Sequence, residues 1–264
     1  MFELHKNEYY RINEVFQDIS HSHPIVYSVL EGNQPGKVFI DDIKNPRTAL
    51  LYPTNSFFYI AGDEKNNEFL QEIKKLIFED LLVNNEDELV LFAFSKKWRD
   101  KLDELLGDKG LVKIERRDFD FIKTKFKEKR LDLDKGLPKG YKLIKINKEV
   151  ANQIGIIKSW GNIEGFMNKG IGYCIVKGDK VVSSCYSIYI GNKMAEIDIH
   201  TNENHREKGL ATAVVISFIE ECLSRGIKPN WSCWPFKEAS LKLAKKLGFV
   251  EKKDVVAHYW SRNI

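Results

Sequence analysis

The chain is predicted to be an α/β (α+β) protein built from two similar folds in tandem, and three features of its 264 residues support this. Short β-type runs bounded by Gly, Pro and Asn alternate with longer stretches of helical period. Residues 56–82 read strand, loop, helix, the order met again over 195–223, and residues 88–121 read strand, helix, strand, as do residues 229–260. Between the halves lies a dense charge run with Gly and Pro, from Ile122 to Gly140. The expected division is a domain over 1–125, a solvated linker over 126–138 and a second domain over 139–264. Residue identity between the halves is slight; what repeats is the order of elements.

From Asn7 to Ile19 the residues Tyr9, Tyr10, Ile12, Val15, Phe16 and Ile19 recur at helical intervals, which predicts an amphipathic helix closed by His21-Ser-His23-Pro24. A His-x-His pair can bind a metal, but no third ligand lies nearby and Pro24 favours extended chain, so a loop is expected and no metal. Segments of β character follow at Ile25–Leu30, Lys37–Ile40, Ala49–Tyr52 and Ser56–Ala61, as in a meander. Phe69–Leu82 returns to helical period, Glu88–Ser95 is a strand, Trp98–Leu106 a helix closed by Gly107, and Leu111–Phe121 a long strand. The second half opens with a strand over Tyr141–Ile146 and a helix over Lys148–Trp160, then an irregular Gly161–Gly165. Two alternating strands, Ile171–Val176 and Val181–Ile190, are joined by the hairpin signal Gly178-Asp-Lys.

Apolar residues make up 43% and charged residues 30% of the chain, an ordinary balance for a soluble domain. A formal charge of +4 from 42 Lys and Arg against 38 Asp and Glu is too small and dispersed to argue for DNA, but it is compatible with an anionic cofactor. No nucleic-acid partner is expected; the basic run before Gly140 lacks aromatic interleaving and reads as a solvated linker. The four cysteines Cys174, Cys185, Cys222 and Cys233 have no Cys-x-x-Cys spacing, so neither a zinc site nor a disulfide framework is expected. No signal-peptide pattern opens the chain and no run reaches membrane-spanning length, so a cytoplasmic setting with no membrane partner is the default expectation.

The stretch Ala195–Ala211 organises the second half. Ile197 and Ile199 alternate with Glu196, Asp198 and His200, which predicts a half-buried strand running to Thr201. A polar run, Asn202-Glu-Asn-His205-Arg206-Glu207-Lys208, gives way at Gly209 to the apolar helix Leu210-Ala211-Thr212-Ala213-Val214-Val215-Ile216. The first turn of a helix leaves amides without intrahelical partners at the positive end of its dipole, and a Gly there lets an anion approach. Arg206 and Lys208 add positive charge on the same loop. The pattern also fits a solvated loop with an ordinary glycine.

At these residues the sequence resembles the GNAT acyl-CoA N-acyltransferases, whose signature places Arg/Gln-x-x-Gly-x-Gly/Ala at the head of a long helix after a strand; Arg206, Gly209 and Ala211 match it. Downstream, Trp231-Ser-Cys-Trp234 as a strand and Glu238 to Leu247-Gly248-Phe249 as a helix and its end resemble a second feature of that family, in the right order. The resemblance covers about Leu137 to the C-terminus, and the run Asn33-x-Pro-Gly-Lys-Val-Phe-Ile-Asp-Asp42 in the first half is similar to a zwittermicin A resistance-like branch. It implies tandem GNAT-like domains with mixed, mainly antiparallel sheets flanked by helices, the first copy degenerate. The first copy's loop, Gly62-Asp-Glu-Lys-Asn-Asn-Glu68, carries three acidic residues where an anion would sit.

The resemblance further implies acetyl-CoA as cofactor, with the pantetheine arm along Ile199, His200 and Thr201 and the pyrophosphate on Arg206, Glu207, Lys208, Gly209, Leu210, Ala211 and Thr212. Ser240 is a further polar contact, and the acceptor is the amine of a small molecule. Glu196 is the candidate general base, from the face shared with Asp198 and His200, although all three also fit the outer face of an amphipathic strand. His205 reads as a loop residue. Many relatives carry an Asn before the later helix and a Tyr within it as general acid; Lys237 and Ala244 stand here, with Tyr173 or Tyr259 as substitutes. A non-catalytic acyl-CoA-binding or ligand-sensing protein is the alternative. A homodimer is compatible with the sequence, which does not decide oligomeric state.

Overall fold

The computed structural model describes residues 1–19, 23–53, 57–84, 87–252 and 254–262. The elements of the first half are β1 (Phe2–Glu3), a 3-10 helix over Lys6–Ile12, α1 (His23–Leu30), β2 (Gly36–Ile40), β3 (Thr48–Pro53), β4 (Phe57–Gly62), α2 (Asn67–Lys75) continued by a π-helical stretch Leu76–Leu81, α3 (Leu82–Asn84), β5 (Glu88–Ala93), α4 (Lys96–Leu106) and β6 (Val112–Phe121). Then follow α5 (Lys123–Leu133), β7 (Tyr141–Lys145), α6 (Lys148–Gln153), α7 (Ile157–Trp160), α8 (Ile163–Lys169), β8 (Gly172–Lys177), β9 (Lys180–Gly191), β10 (Met194–Thr201), α9 (Leu210–Ser224), β11 (Lys228–Cys233), α10 (Glu238–Lys246), β12 (Phe249–Glu251) and β13 (Val255–Ser261). Two compact units result, Met1–Arg116 with Val255–Ile264, and Arg117–Asp254.

In the first unit the strand order is β1-β2-β3-β4-β5-β13, followed by residues 112–116 of β6. The pairings are antiparallel except β4 with β5, which is parallel. Helices α2 and α4 bury Phe69, Ile73, Trp98, Leu102 and Leu106 against Leu50, Phe58, Ile60 and Leu91 of the sheet. Each helix starts where a side chain satisfies a first-turn amide: Asn66 accepts from the Phe69 N–H at 3.2 Å and Ser95 from the Trp98 N–H at 3.1 Å.

In the second unit the order is β7-β8-β9-β10-β11 and then residues 117–121 of β6, which also pairs with β12. Only β10 with β11 is parallel. Tyr173, Cys185 and Ile199 lie opposite one another in the ladder, and the Tyr173 hydroxyl reaches Glu221 of α9, so α9 covers that face. Val214, Val215, Phe218, Ile219 and Cys222 form its buried stripe. The neighbouring positions Tyr186 and Asp198 point the other way, where the Phe166 ring of α8 meets Tyr186 edge-on and the Trp160 indole donates to Ser187 O at 2.9 Å.

Four expectations are corrected. Ile25–Leu30 is α1 and not a strand: a short unbroken apolar run has no period to separate the two, and Pro24, in the first turn, needs no amide partner. The helix expected over Asn7–Ile19 is a 3-10 helix that ends at Ile12, followed by turns. The expected linker 126–138 is helical to Leu133, and α5 buries Phe126 beside Phe121 and Phe249 in the second unit's core. Residues Ile163–Gly165 begin α8, capped by the Asn162 side chain on the Gly165 N–H at 2.6 Å. His21, one half of the His-x-His pair, and Ser56, the expected start of a strand, lie outside the described residues.

Candidate active site

Strands β10 and β11 pair at Met194↔Lys228, Ala195↔Pro229 and Glu196↔Asn230, and the ladder stops there although β10 continues to Thr201 and β11 to Cys233. On its other edge β10 stays paired with β9 through Thr201↔Ser183, with a register shift between Glu196 and Ile197 that makes Ile188 an extra residue on β9. Such a bulge bends and twists the sheet locally, which suits two strands that part. Among the described residues, no strand pairs with the edge of β10 from Ile197 to Thr201 that faces β11. In the first unit, β4 and β5 instead pair over four consecutive positions, from Phe57↔Val90 to Ile60↔Ala93.

Glu196 stands at the point of parting. It is 2% exposed, its Oε2 accepts from Asn230 Nδ2, and its Oε1 accepts from Ser232 Oγ at 2.5 Å. The sequence expectation of a strand with Glu196, Asp198 and His200 on one face holds, but Glu196 does not face solvent. Asp198 is half-buried and lies opposite Tyr186; burial, then the Asp198 carboxylate as charge and hydrogen-bond partner, push that phenol far up. His200 is exposed, and Ile199 packs half-buried against the core.

After Thr201 the chain makes a 3-10 turn over Glu203–His205, where the Asn202 side chain accepts from the Asn204 N–H at 3.1 Å. Glu207 and Gly209 take positive φ, +63° and +76°. Gly209 is the N-cap of α9 and makes no side-chain cap; a Cβ built there would meet nothing within 4 Å, so the space before the helix is open. The amides of Leu210, Ala211 and Thr212 have no intrahelical acceptor by the geometry of any helix start. Arg206 touches Glu203 at 3.3 Å, with side chains 58% and 81% exposed, a contact water screens strongly. Lys208 Nζ donates to Asn204 O at 3.1 Å.

Lys246, in the helix end that the resemblance places at the mouth of the cofactor cleft, and Tyr141, whose contact the sequence did not foretell, complete this end. Lys246, at the close of α10, donates to Thr212 Oγ1 at 3.2 Å and brings a third cation to the first turn of α9. Tyr141 holds His205 Nδ1 at 2.8 Å, tying the loop to β7. Ser240 accepts from the Trp231 indole at 3.0 Å, which fixes the start of α10 against β11.

This arrangement combines an extended slot, a cationic loop and a helix head. A family model described as GNAT acetyltransferase matches residues 13–257. The chain belongs to the GNAT acetyltransferase family. It is 33% identical over 263 residues, 97% of either chain, to the uncharacterized N-acetyltransferase YdfB of Bacillus subtilis (strain 168). Among solved structures it is similar to a GCN5-related N-acetyltransferase-like protein from Streptococcus suis 89/1591, at 25% identity and a TM-score of 0.72 over 96% of this chain and 98% of that one. It also shares the fold of a tandem GNAT protein from the clavulanic acid biosynthesis pathway, at 11% identity and a TM-score of 0.64, covering 98% and 97%. The expected fold class, a mixed α/β fold with helices flanking the sheet, is therefore the one observed.

In this GNAT chain α10 offers no phenol: Ala244 is fully buried and Lys237 is the N-cap residue. Of the two substitutes, Tyr173 is engaged by α9. The Tyr173 hydroxyl donates to Glu221 Oε2 at 2.7 Å, and burial with that carboxylate pushes it up to about 12. Tyr259 belongs to the first unit, paired with Val90. Among the described residues no cluster of three or more His, Cys, Asp or Glu could hold a metal ion, and no helix is long and apolar enough to cross a membrane.

Proposed function

We propose that this GNAT protein is an acetyl-CoA-dependent N-acetyltransferase that transfers the acetyl group to the amine of a small molecule by direct attack on the thioester. The observation that carries the reading is the parted strand pair β10/β11 leading to the open head of α9. Thr201 and Glu196 are five residues apart, about 16 Å of extended strand. That length of uncovered backbone at Ile199, His200 and Thr201 suits a pantetheine arm, which is itself an extended chain of amides. Arg206, Glu207, Lys208, Gly209, Leu210, Ala211 and Thr212 would hold the pyrophosphate through backbone amides and charge, with Lys246 beside them. Ser240, in the first turn of α10, is a further proposed polar contact to the cofactor. Bound acetyl-CoA supplies the activated acyl group.

The chain's own part is to orient the amine and take its proton. Glu196 is the proposed base, and the carboxylate of Asp198 on the same face suits a cationic acceptor. Coenzyme release measured with acetyl-CoA and an amine panel tests this. Glu196→Gln should slow turnover by about 100-fold, the range typical of a removed general base, and unchanged turnover would take Glu196 out of the mechanism.

A second reading, acyl-CoA binding without catalysis, is motivated by Lys237 and the buried Ala244 where many relatives carry an Asn and a Tyr; it predicts coenzyme binding with no amine consumed. Within the family, the Asn33–Asp42 run supports a zwittermicin A resistance-like branch. A cytoplasmic setting, without nucleic-acid or membrane partners, fits a small-molecule acceptor, and sedimentation of the purified chain would tell a monomer from a homodimer.

A further inference from the structure

The base proposed above is sealed from its substrate. Glu196 is 2% exposed, so an amine seated in the opening does not touch its carboxylate, and any proton must pass through the groups that cover it. Among the described residues, two side chains donate hydrogen bonds to it. Asn230 gives an amide N–H to Oε2, a donor that cannot also accept at the same atom. Ser232 gives its hydroxyl to Oε1 at 2.5 Å, and a hydroxyl both donates and accepts.

Placement singles out Ser232. On β11 it is two residues past Asn230, hence on the same face and beyond the last pair of the β10/β11 ladder. Asp198 takes the matching place on β10, two residues past Glu196. Ser232 is half-buried, its hydroxyl is held on Glu196, and no tyrosine stands on α10, where Ala244 is buried.

We infer that Ser232 is a catalytic residue of this site, passing a proton from the reacting amine to Glu196 and from Glu196 to the departing sulfur. The inference rests on the acetyl-transfer reading. As the C–N bond forms, the nitrogen proton moves to Ser232 Oγ while the hydroxyl proton moves to Glu196 Oε1. As the C–S bond breaks, the reverse movement delivers that proton to sulfur. Ser232 and Glu196 end as they began, and the neutral amine and thioester have become an amide and a thiol. One path does the work of both base and acid, which accounts for a site with no phenol on α10.

The test compares wild type, Ser232→Ala and Ser232→Thr, with acetyl-CoA and glucosamine, spermidine or lysine as acceptor. Coenzyme A binding is measured by calorimetry and the melting temperature for each. The expected result is a fall in kcat of about 100-fold for Ser232→Ala, with the coenzyme A affinity and acetyl-CoA KM within about twofold of wild type. Ser232→Thr, which keeps the hydroxyl, should retain most of kcat and decides the matter if Ser232→Ala does not fold. Ser232→Ala turning over like wild type, or a folded, coenzyme-binding Ser232→Thr without activity, overturns the relay and leaves the acetyl-transfer reading standing. Wild type that binds coenzyme A and acetylates none of the amines overturns that reading and the relay with it.

Discussion

His258 on β13 meets Asp103 on α4 through a 2.8 Å hydrogen bond that spans 155 residues of sequence. Lys113 on β6 reaches the other carboxylate oxygen at 2.6 Å, so one side chain joins three elements of the first unit. Strand β13 lies between β5 and β6 there, paired over Ala257↔Phe92 to Ser261↔Glu88 and Val255↔Arg116 to Tyr259↔Val112. The last strand of the chain thus completes the fold of its first half.

This carboxylate should make stability fall with acid. The Lys113 hydrogen bond, opposed by burial and aided by His258, holds the Asp103 carboxyl below its usual value. A depressed folded value means stability that is present above the ordinary carboxylate value of about 3.9 and lost as pH falls through the lower one. Urea midpoints of wild type and Asp103→Asn, compared from about pH 5.5 to about pH 2.5, should converge as the pH drops. Asp103 is 39% exposed, so the gap at neutral pH is expected at only about 1 kcal/mol.

Coenzyme A should bind once per chain. The first unit keeps β4 and β5 zipped and has acidic residues in the loop before α2, while the second opens at Glu196. Calorimetry should give a stoichiometry of one, and Arg206→Ala or Lys246→Ala should weaken affinity by about tenfold, one charge-assisted hydrogen bond. Exposed Arg206 should cost little stability on removal, within about 0.5 kcal/mol. Gly209→Val should cost more, about 1–2 kcal/mol for a side chain forced to φ +76°, and should block the anion as well.

The thiols should be silent in the native protein. All four cysteines are buried; burial pushes Cys174 up to about 11, and pushes Cys185 and Cys222 up as well. A thiol-reactive dye at about pH 8 should label none of them rapidly, and should count four after denaturation in guanidinium. Rapid labelling of the native chain would contradict the packing of α9 on the sheet.

What could be read in advance was local. The alternation of Ala195–Thr201, the glycine before Leu210 and the cations at Arg206 and Lys208 each act within a few residues. The partners of the site were not legible. Asn230 and Ser232 close on Glu196 from 34 and 36 residues away; the helix end at Lys246 was read as bordering the cleft, but not its contact with Thr212, 34 residues away. Phe126 was hidden in a charge run whose helix buries a single side chain, so its period carried almost no signal.

By itself, the sequence determined most of the order of strands and helices, apart from α1 and α5, the two-fold repeat of that order, and the cations of the loop before α9. Tertiary structure alone decided which strand lies beside which: that β13 enters the first unit, and that β10 and β11 part after Glu196. The physical reason is that strands bind one another through backbone N–H and C=O groups, which are the same at every residue. Partner and register come from packing of distant side chains, and those are brought together only when the chain is folded.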